Sequence, residues 1–340
     1  MKLKSFQKKL LEKKVDGALL FFRDPNFFYF TQQNIDNSIL LIPAKGKPLL
    51  FVNKLEDVNV SIKTIMYDDP YKDLRSTLKK LNLKILGINE FAMTVKQKRF
   101  ISKTAKTVDI EKILRTLRET KTDEEIKNIQ KACSITDNIL SKIVKQFHFK
   151  TEKEVKDFIK IEAIKEGCEL SFEPVVASGK GASIPHYSGN KAIKKGFMII
   201  DMGVKYRGYC ADITRTVYIG TPSDKELDLY NKILSIQKLA IKMVKPNQKI
   251  SEIEAFVRKK LGSDDKYFTH SLGHGLGIDV HESPTVSIKS KKTLEKGMVI
   301  TIEPGLYNQF GIRIEDDVLV TKKGYALLSK FSKALIIPKF

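Results

Sequence analysis

Four acids of this chain stand where apolar strands should not carry charge. Asp201 closes the run FMIID, and Asp212 follows within YRGYCADITRT. A strand that buries its apolar side chains should not end on an unpartnered carboxylate, because a buried charge is costly. A hairpin would set Asp212 beside Asp201, and like charges that close repel unless a cation lies between them. Either acid alone reads equally as a turn or strand-end residue; together they begin to favour a metal. Glu303 in ITIEPG and Glu315 in IRIEDD sit likewise among β-branched residues. In IRIED, alternation puts Arg313 and Glu315 on one face and Ile312 and Ile314 on the other. The guanidinium can then orient the carboxylate, although a buried ion pair would account for that couple by itself.

Histidines supply nitrogen to the same set. Three of the chain's five histidines, His270, His274 and His281, fall within THSLGHGLGIDVHESP. Gly273, Gly275 and Gly277 let backbone and imidazoles approach a centre closely. Histidine is the commonest neutral metal ligand and a ready proton carrier. One histidine in a core is ordinarily structural; three among glycines, in a His-poor chain, point to a site. His148, in KQFHFK, reads as a surface or helix-end residue. The widely spaced Cys133, Cys168 and Cys210 form neither a disulfide framework nor a zinc pattern. Cys210 lies close to Asp212 but reads as a small buried hydrophobe. Four carboxylates and an imidazole suit Mn²⁺, Co²⁺ or Zn²⁺ better than a thiolate-type structural site. Because carboxylates bridge, five side chains can hold two ions sharing a hydroxide, a pair that activates water for hydrolysis.

The elements that must position these groups divide the chain. With 340 residues, two domains are the default expectation. Residues 1–15 read as a helix, VDGALLFF (15–22) as a strand, and SILLIPAKGKPLLFV (38–52) as a hairpin around Lys45-Gly46-Lys47. KILGIN (84–89) reads as a buried strand and TVKQKRFISKT (94–104) as a helix, which together suggest a small α/β domain. Residues 109–121 read as a charged connection, with the domain boundary near 118. Thr122 with Glu125 makes a capping box that opens a helix to about Phe147, and Thr151 with Glu154 opens one ending near Gly167. Strands follow at 171–179, 197–204 and 206–220, helices at about 223–245 and 250–261, and strands again at 298–304, 311–321 and 325–329.

Composition excludes more than it assigns. The net charge of +21 raises the possibility of a nucleic-acid or membrane partner. Lys outnumbers Arg 52 to 9, however, and phosphate and base recognition favours the Arg fork. No basic block with interleaved aromatics occurs, so the excess reads as a solvated Lys-rich surface. No stretch approaches the apolar length of a membrane span. The basic amphipathic start MKLKSFQKKLLEKK lacks the apolar core of a signal peptide, so a cytoplasmic location is expected.

DMGVKYRGYCADITRT, HSLGHGLGIDVHESP, ITIEPG and IRIED resemble, in order and spacing, the pita-bread-fold metallopeptidases: prolidases, aminopeptidase P, methionine aminopeptidase and creatinase. The resemblance covers roughly residues 118–340. It implies a C-terminal pita-bread catalytic domain (119–340), a duplicated α-β-β arrangement on a curved antiparallel sheet. Before it would lie a small creatinase-type α/β domain (1–118) serving dimerisation or substrate gating, a layout that favours the proline-specific branch. Carried over by motif, Asp201, Asp212, His274, Glu303 and Glu315 would be ligands of two divalent ions per subunit, foremost Mn²⁺, with Asp212 and Glu315 bridging. Glu303 would also shuttle the proton of the attacking water, and His281 would contact the scissile carbonyl oxygen. His186, in IPHY, and His270 would face substrate, with Tyr187 and Arg313 in support. The implied reaction is hydrolysis of an Xaa-Pro bond at the N-terminus of a dipeptide or short peptide, by a homodimer. Xaa-Pro aminopeptidase action on longer peptides is the alternative. A creatinase-like C–N hydrolase and a non-enzymatic binding protein lie further off.

Overall fold

The structure, a computed structural model, describes residues 2–338. It divides between Leu117 and Arg118 into two compact units. The N-terminal unit is built on α1 (Lys2–Glu12), β1 (Gly17–Phe21), α2 (Pro25–Thr31), β2 (Ile39–Pro43), β3 (Leu49–Asn53), β4 (Lys63–Tyr67), α3 (Pro70–Lys80), β5 (Ile85–Ile88), α4 (Val95–Ser102), β6 (Lys106–Asp109) and all but the last two residues of α5 (Glu111–Glu119). Its strands form one mixed sheet in the order β4-β3-β2-β1-β5-β6. Leu19, Leu41, Phe51, Leu86 and Ile88 from that sheet pack with Leu74 and Leu78 of α3 and Ile101 of α4. The segment read as a charged connection is mostly helix. Ile110, Leu114 and Leu117 are buried at a spacing that gives α5 one apolar face among its charges.

The second unit repeats one theme. Helices α6 (Asp123–Lys145) and α7 (Glu152–Lys165) precede β7 (Glu169–Leu170), β8 (Val175–Ser178), β9 (Gly196–Met202), β10 (Val204–Tyr206), β11 (Tyr209–Cys210) and β12 (Ile213–Ile219). Helices α8 (Asp224–Lys242) and α9 (Ile250–Leu261) then precede β13 (Gly273–Gly275), β14 (Glu282–Val286), β15 (Val299–Ile302), β16 (Gly305–Tyr307), β17 (Gly311–Arg313), β18 (Asp316–Val320) and β19 (Tyr325–Leu327). Each pair of helices thus leads into an antiparallel sheet, β12-β9-β8 in the first half and β14-β13-β15-β18-β19 in the second. The sheets meet where the Glu315 N–H donates to the Thr214 carbonyl (3.1 Å) and Thr216 Oγ1 donates to that of Arg313 (2.9 Å). Thr122 and Glu125 do form a capping box, and the Thr151 side chain accepts the Glu154 N–H.

The continuous strand expected over 206–220 is broken. The short β10–β11 hairpin leaves the sheet before β12 begins, and the chain comes so close at its neck that a Cβ on Gly203 would lie 1.8 Å from the Ala211 carbonyl oxygen. Only glycine fits there. The run 311–321 is likewise split, because β17 pairs with β16 and β18 with β15.

Candidate metal centre

Strand pairing brings the acids together in two steps. In the first half, β9 and β12 are antiparallel with Asp201 opposite Thr214. Asp212, two residues before Thr214, therefore points from the same face. In the second half, β15 and β18 are antiparallel with Ile302 opposite Asp316, so Glu303 and Glu315 are the next neighbours beyond that pair. Ile312 and Ile314 pack into the core on the reverse side.

Asp212, His274 and Glu315 converge: one ligand atom from each lies within 4.8 Å of the other two. His274 Nε2 stands 3.6 Å from Asp212 Oδ2 and 3.4 Å from Glu303 Oε1. Its Nδ1 lies 3.1 Å from the Gly275 carbonyl oxygen, which can only accept, so Nδ1 carries the proton and Nε2 turns its lone pair to the carboxylates. Burial lowers the imidazole pKa to about 4, keeping it neutral and able to ligate. Gly273 does not serve the centre directly. A Cβ there would meet the Thr301 carbonyl at 2.1 Å, so glycine lets β13 close against β15.

Asp201, beside that trio, has a cationic partner of its own. Arg313, fully buried, donates from Nη2 to Asp201 Oδ2 (2.5 Å), from Nη1 to the Tyr307 hydroxyl (2.8 Å) and from Nε to Thr214 Oγ1 (3.0 Å). The sequence suggested that Arg313 orients Glu315; in the structure its fork goes to Asp201. Thr214 Oγ1 instead donates to Glu315 Oε2 (2.6 Å), and Thr301 Oγ1 to Glu303 Oε1 (3.2 Å). Tyr307 passes the chain on, its hydroxyl lying 2.9 Å from His270 Nε2. Thr214, Thr301 and Tyr307 were not picked out in the sequence. The two threonines had a signal, since each lies two residues from a candidate ligand on a strand and so on the same face.

The remaining candidates surround this core. His281 is exposed, with its ring centroid 4.4 Å from that of His274. His186 is also exposed and lies beside Pro185, whose carbonyl accepts from Arg313 (3.5 Å). Tyr187 faces the other way: its hydroxyl donates to the buried Glu152 (3.1 Å), and its ring fills the space against Gly181 and Gly189. Glu152 also accepts from the backbone N–H groups of Ser178 and Lys191 (2.8 Å each), so Tyr187 anchors the loop that displays His186. Cys210 is buried, donating to the Ile278 carbonyl (3.3 Å), and His148 is exposed within the loop between α6 and α7.

Protein groups alone do not satisfy this cluster. Asp201 Oδ1, Asp212 Oδ1 and Glu315 Oε1 are buried with no hydrogen-bond partner among the described residues. Burial, then repulsion from Glu315 and Asp201, pushes Asp212 well above the ordinary carboxylate range. Burial, then Glu303 and Asp201, does the same to Glu315. Burial raises Glu303 to about 8. Unmatched carboxylate oxygens around a neutral imidazole are the donor set of a hard or borderline divalent cation. The residues fit a metal.

Known proteins are similar to this chain along nearly its whole length. Residues 127–322 match metallopeptidase family M24, and residues 2–120 match the creatinase/prolidase N-terminal domain. The Xaa-Pro dipeptidase of Pyrococcus horikoshii is 33% identical over 341 residues, covering 96% of each chain. A solved prolidase from Pyrococcus horikoshii has a TM-score of 0.91 at 31% identity, over 98% of this chain and 99% of that one. The X-Pro aminopeptidase of Thermotoga maritima has a TM-score of 0.90 at 29% identity, over 95% and 98%. The duplicated helix-pair-and-sheet unit with its acid-lined centre is thus a pita-bread catalytic domain, and the chain belongs to metallopeptidase family M24, whose members work with divalent metal ions.

Proposed function

We propose that this chain is an Xaa-Pro dipeptidase, hydrolysing the bond between a free N-terminal residue and proline. The observation that carries the reading is the convergence of Asp212, His274 and Glu315 with buried, unmatched carboxylate oxygens around them, in a chain similar end to end to an Xaa-Pro dipeptidase. Asp201, Asp212, His274, Glu303 and Glu315 would hold two divalent ions, Mn²⁺ foremost. Such ions supply Lewis acidity, lowering the pKa of water and drawing charge from an oxygen.

The chain's own groups handle the protons. Glu303 takes a proton from the attacking water and delivers it to the proline nitrogen as the C–N bond breaks. His281, on the exposed side of His274, donates to the carbonyl oxygen as it gains charge. His270 and His186 line the side reached through Tyr307 and Pro185. Arg313 fixes Asp201, and a lysine in its place keeps the charge but loses the fork. Arg313→Lys is therefore expected to lower turnover by roughly tenfold to a hundredfold, with less metal retained after dialysis. Turnover and metal content equal to wild type would remove Arg313 from this role.

The N-terminal unit is assigned to dimer formation and to limiting peptide length, and the working location to the cytoplasm. Among the described residues no helix is long and apolar enough to cross a membrane. Similarity to the X-Pro aminopeptidase favours a second reading, action on longer peptides. Parallel assays of Ala-Pro, Gly-Pro and Ala-Pro-Ala with metal-loaded protein decide between them. Dipeptides are expected to be cleaved much faster; comparable rates on the tripeptide would replace dipeptidase by aminopeptidase.

A further inference from the structure

A buried ionic cluster lies behind the loop that presents His281, and neither the metal centre nor the proton steps use it. Its hub is Glu282, the residue after His281, whose side chain is 4% exposed. Glu282 Oε1 accepts the backbone N–H groups of Ile278 (2.8 Å) and Asp279 (3.1 Å), closing residues 278–282 into a tight loop. The same oxygen accepts Arg118 Nε (3.1 Å) and Nη2, and Oε2 accepts Lys121 Nζ (3.2 Å). Arg118 Nη2 also reaches Asp279 Oδ2 (2.6 Å), so one guanidinium spans both ends of the loop. Burial would raise the Glu282 carboxyl, but Lys121 and Arg118 hold it below its ordinary value. It is a carboxylate inside the protein, matched by two cations. Gly277 is fitted to it, since a Cβ there would lie 2.6 Å from a carboxylate oxygen.

We propose that Arg118 and Lys121, acting through Glu282, position His281 for the reaction; the inference rests on the role given to His281 above. Cys210 also ties the loop, its N–H donating to the Gly277 carbonyl (2.7 Å) and its thiol to that of Ile278 (3.3 Å), but a buried carboxylate stripped of one cation is strongly disfavoured. Removing Arg118 frees Asp279 and lets Glu282 turn towards Lys121 or water. The two backbone N–H groups are then released and His281 shifts, and a displacement of about 1 Å at a reacting group can cost a hundredfold. Arg118 is thus a positioning residue, acting through Glu282 and Asp279.

The test is a double-mutant cycle on metal-loaded protein with Ala-Pro, combining Arg118→Gln with His281→Ala. Arg118→Gln alone is expected to lower kcat at least tenfold with KM and bound metal little changed, and Arg118→Lys to recover part of the loss. In the His281→Ala background, Arg118→Gln should change kcat less than twofold. Equal fold-losses in both backgrounds, or loss of bound metal with kcat, would overturn the proposal in favour of a general structural role. A His281→Ala variant as active as wild type would remove both the role of His281 and the proposal. Amide hydrogen exchange reads the clamp without substrate: Ile278 and Asp279 should exchange at least fivefold faster in Arg118→Gln, and in Arg118→Lys if the glutamine variant does not fold. Unchanged exchange overturns the clamp whatever the peptide specificity proves to be.

Discussion

Replacement of Glu303 by glutamine is expected to lower turnover on Ala-Pro by about 10²–10⁴-fold, the usual share of a positioned acid or base. Gln has nearly the size of the acid and can keep the hydrogen bond from Thr301 Oγ1 (3.2 Å). What it cannot do is take a proton from water and pass it to the proline nitrogen. The same change should leave the metal-free fold almost untouched. Burial raises the Glu303 carboxyl to about 8, so at neutral pH the metal-free site already favours the neutral acid, which the amide imitates. Steady-state kinetics and thermal unfolding of the stripped protein separate the two effects. A variant that turns over Ala-Pro at the wild-type rate with its metals in place removes Glu303 from the proton step.

Metal binding is expected to stabilise the catalytic unit. At a free ion concentration a hundred times Kd, one site adds about 2.7 kcal/mol, and in a unit of this size each kcal/mol raises the unfolding midpoint by roughly 2–4 °C. Stripped protein given Mn²⁺ is therefore expected to melt roughly 5–10 °C higher for each site filled. The response should be largely lost in Asp212→Asn and Glu315→Gln, because each loses the unmatched carboxylate oxygen that would bind the cation. Without metal, both variants should be at least as stable as the wild type, since each removes an acid that burial and its neighbours push towards protonation.

The pH dependence has a definite sign. Asp212, Glu303 and Glu315 have folded pKa values above their unfolded ones, so the native state binds more protons than the unfolded chain. Their contribution to metal-free stability is complete below about 4 and is lost as pH rises, for Glu303 until about 8. The gap between loaded and stripped protein should widen over that range. A metal-induced shift that stays constant from pH 5 to 8, or persists in Asp212→Asn, would contradict this.

The acids and histidines of the cluster were legible because they violate patterning. An acid at the end of FMIID or inside IRIED conflicts with a buried strand, and three histidines in one glycine-rich stretch conflict with a His-poor composition. Which residue holds which was not legible. Arg313 and Glu315 share a face in the sequence, yet the guanidinium reaches Asp201 across the sheet, and no spacing rule contains that long-range pairing. Tyr187, adjacent in sequence to His186, turns back to Glu152, because the pull came from a buried acid on a distant helix. The run from 206 to 220 alternates like one strand, but the close approach of Gly203 to Ala211, which takes the chain out of the sheet before β12, is a contact that alternation does not encode. In the N-terminal unit the charges of α5 masked the apolar spacing of Ile110, Leu114 and Leu117.

Proline release from Ala-Pro, followed while metal-stripped protein is titrated with Mn²⁺, tests the central claim most directly. The expected course is no hydrolysis without metal and a rise to a plateau at two equivalents per chain, with no such rise in Asp212→Asn. Hydrolysis at the full rate by protein shown to hold no metal, or a metal-replete protein that releases no proline, would contradict it.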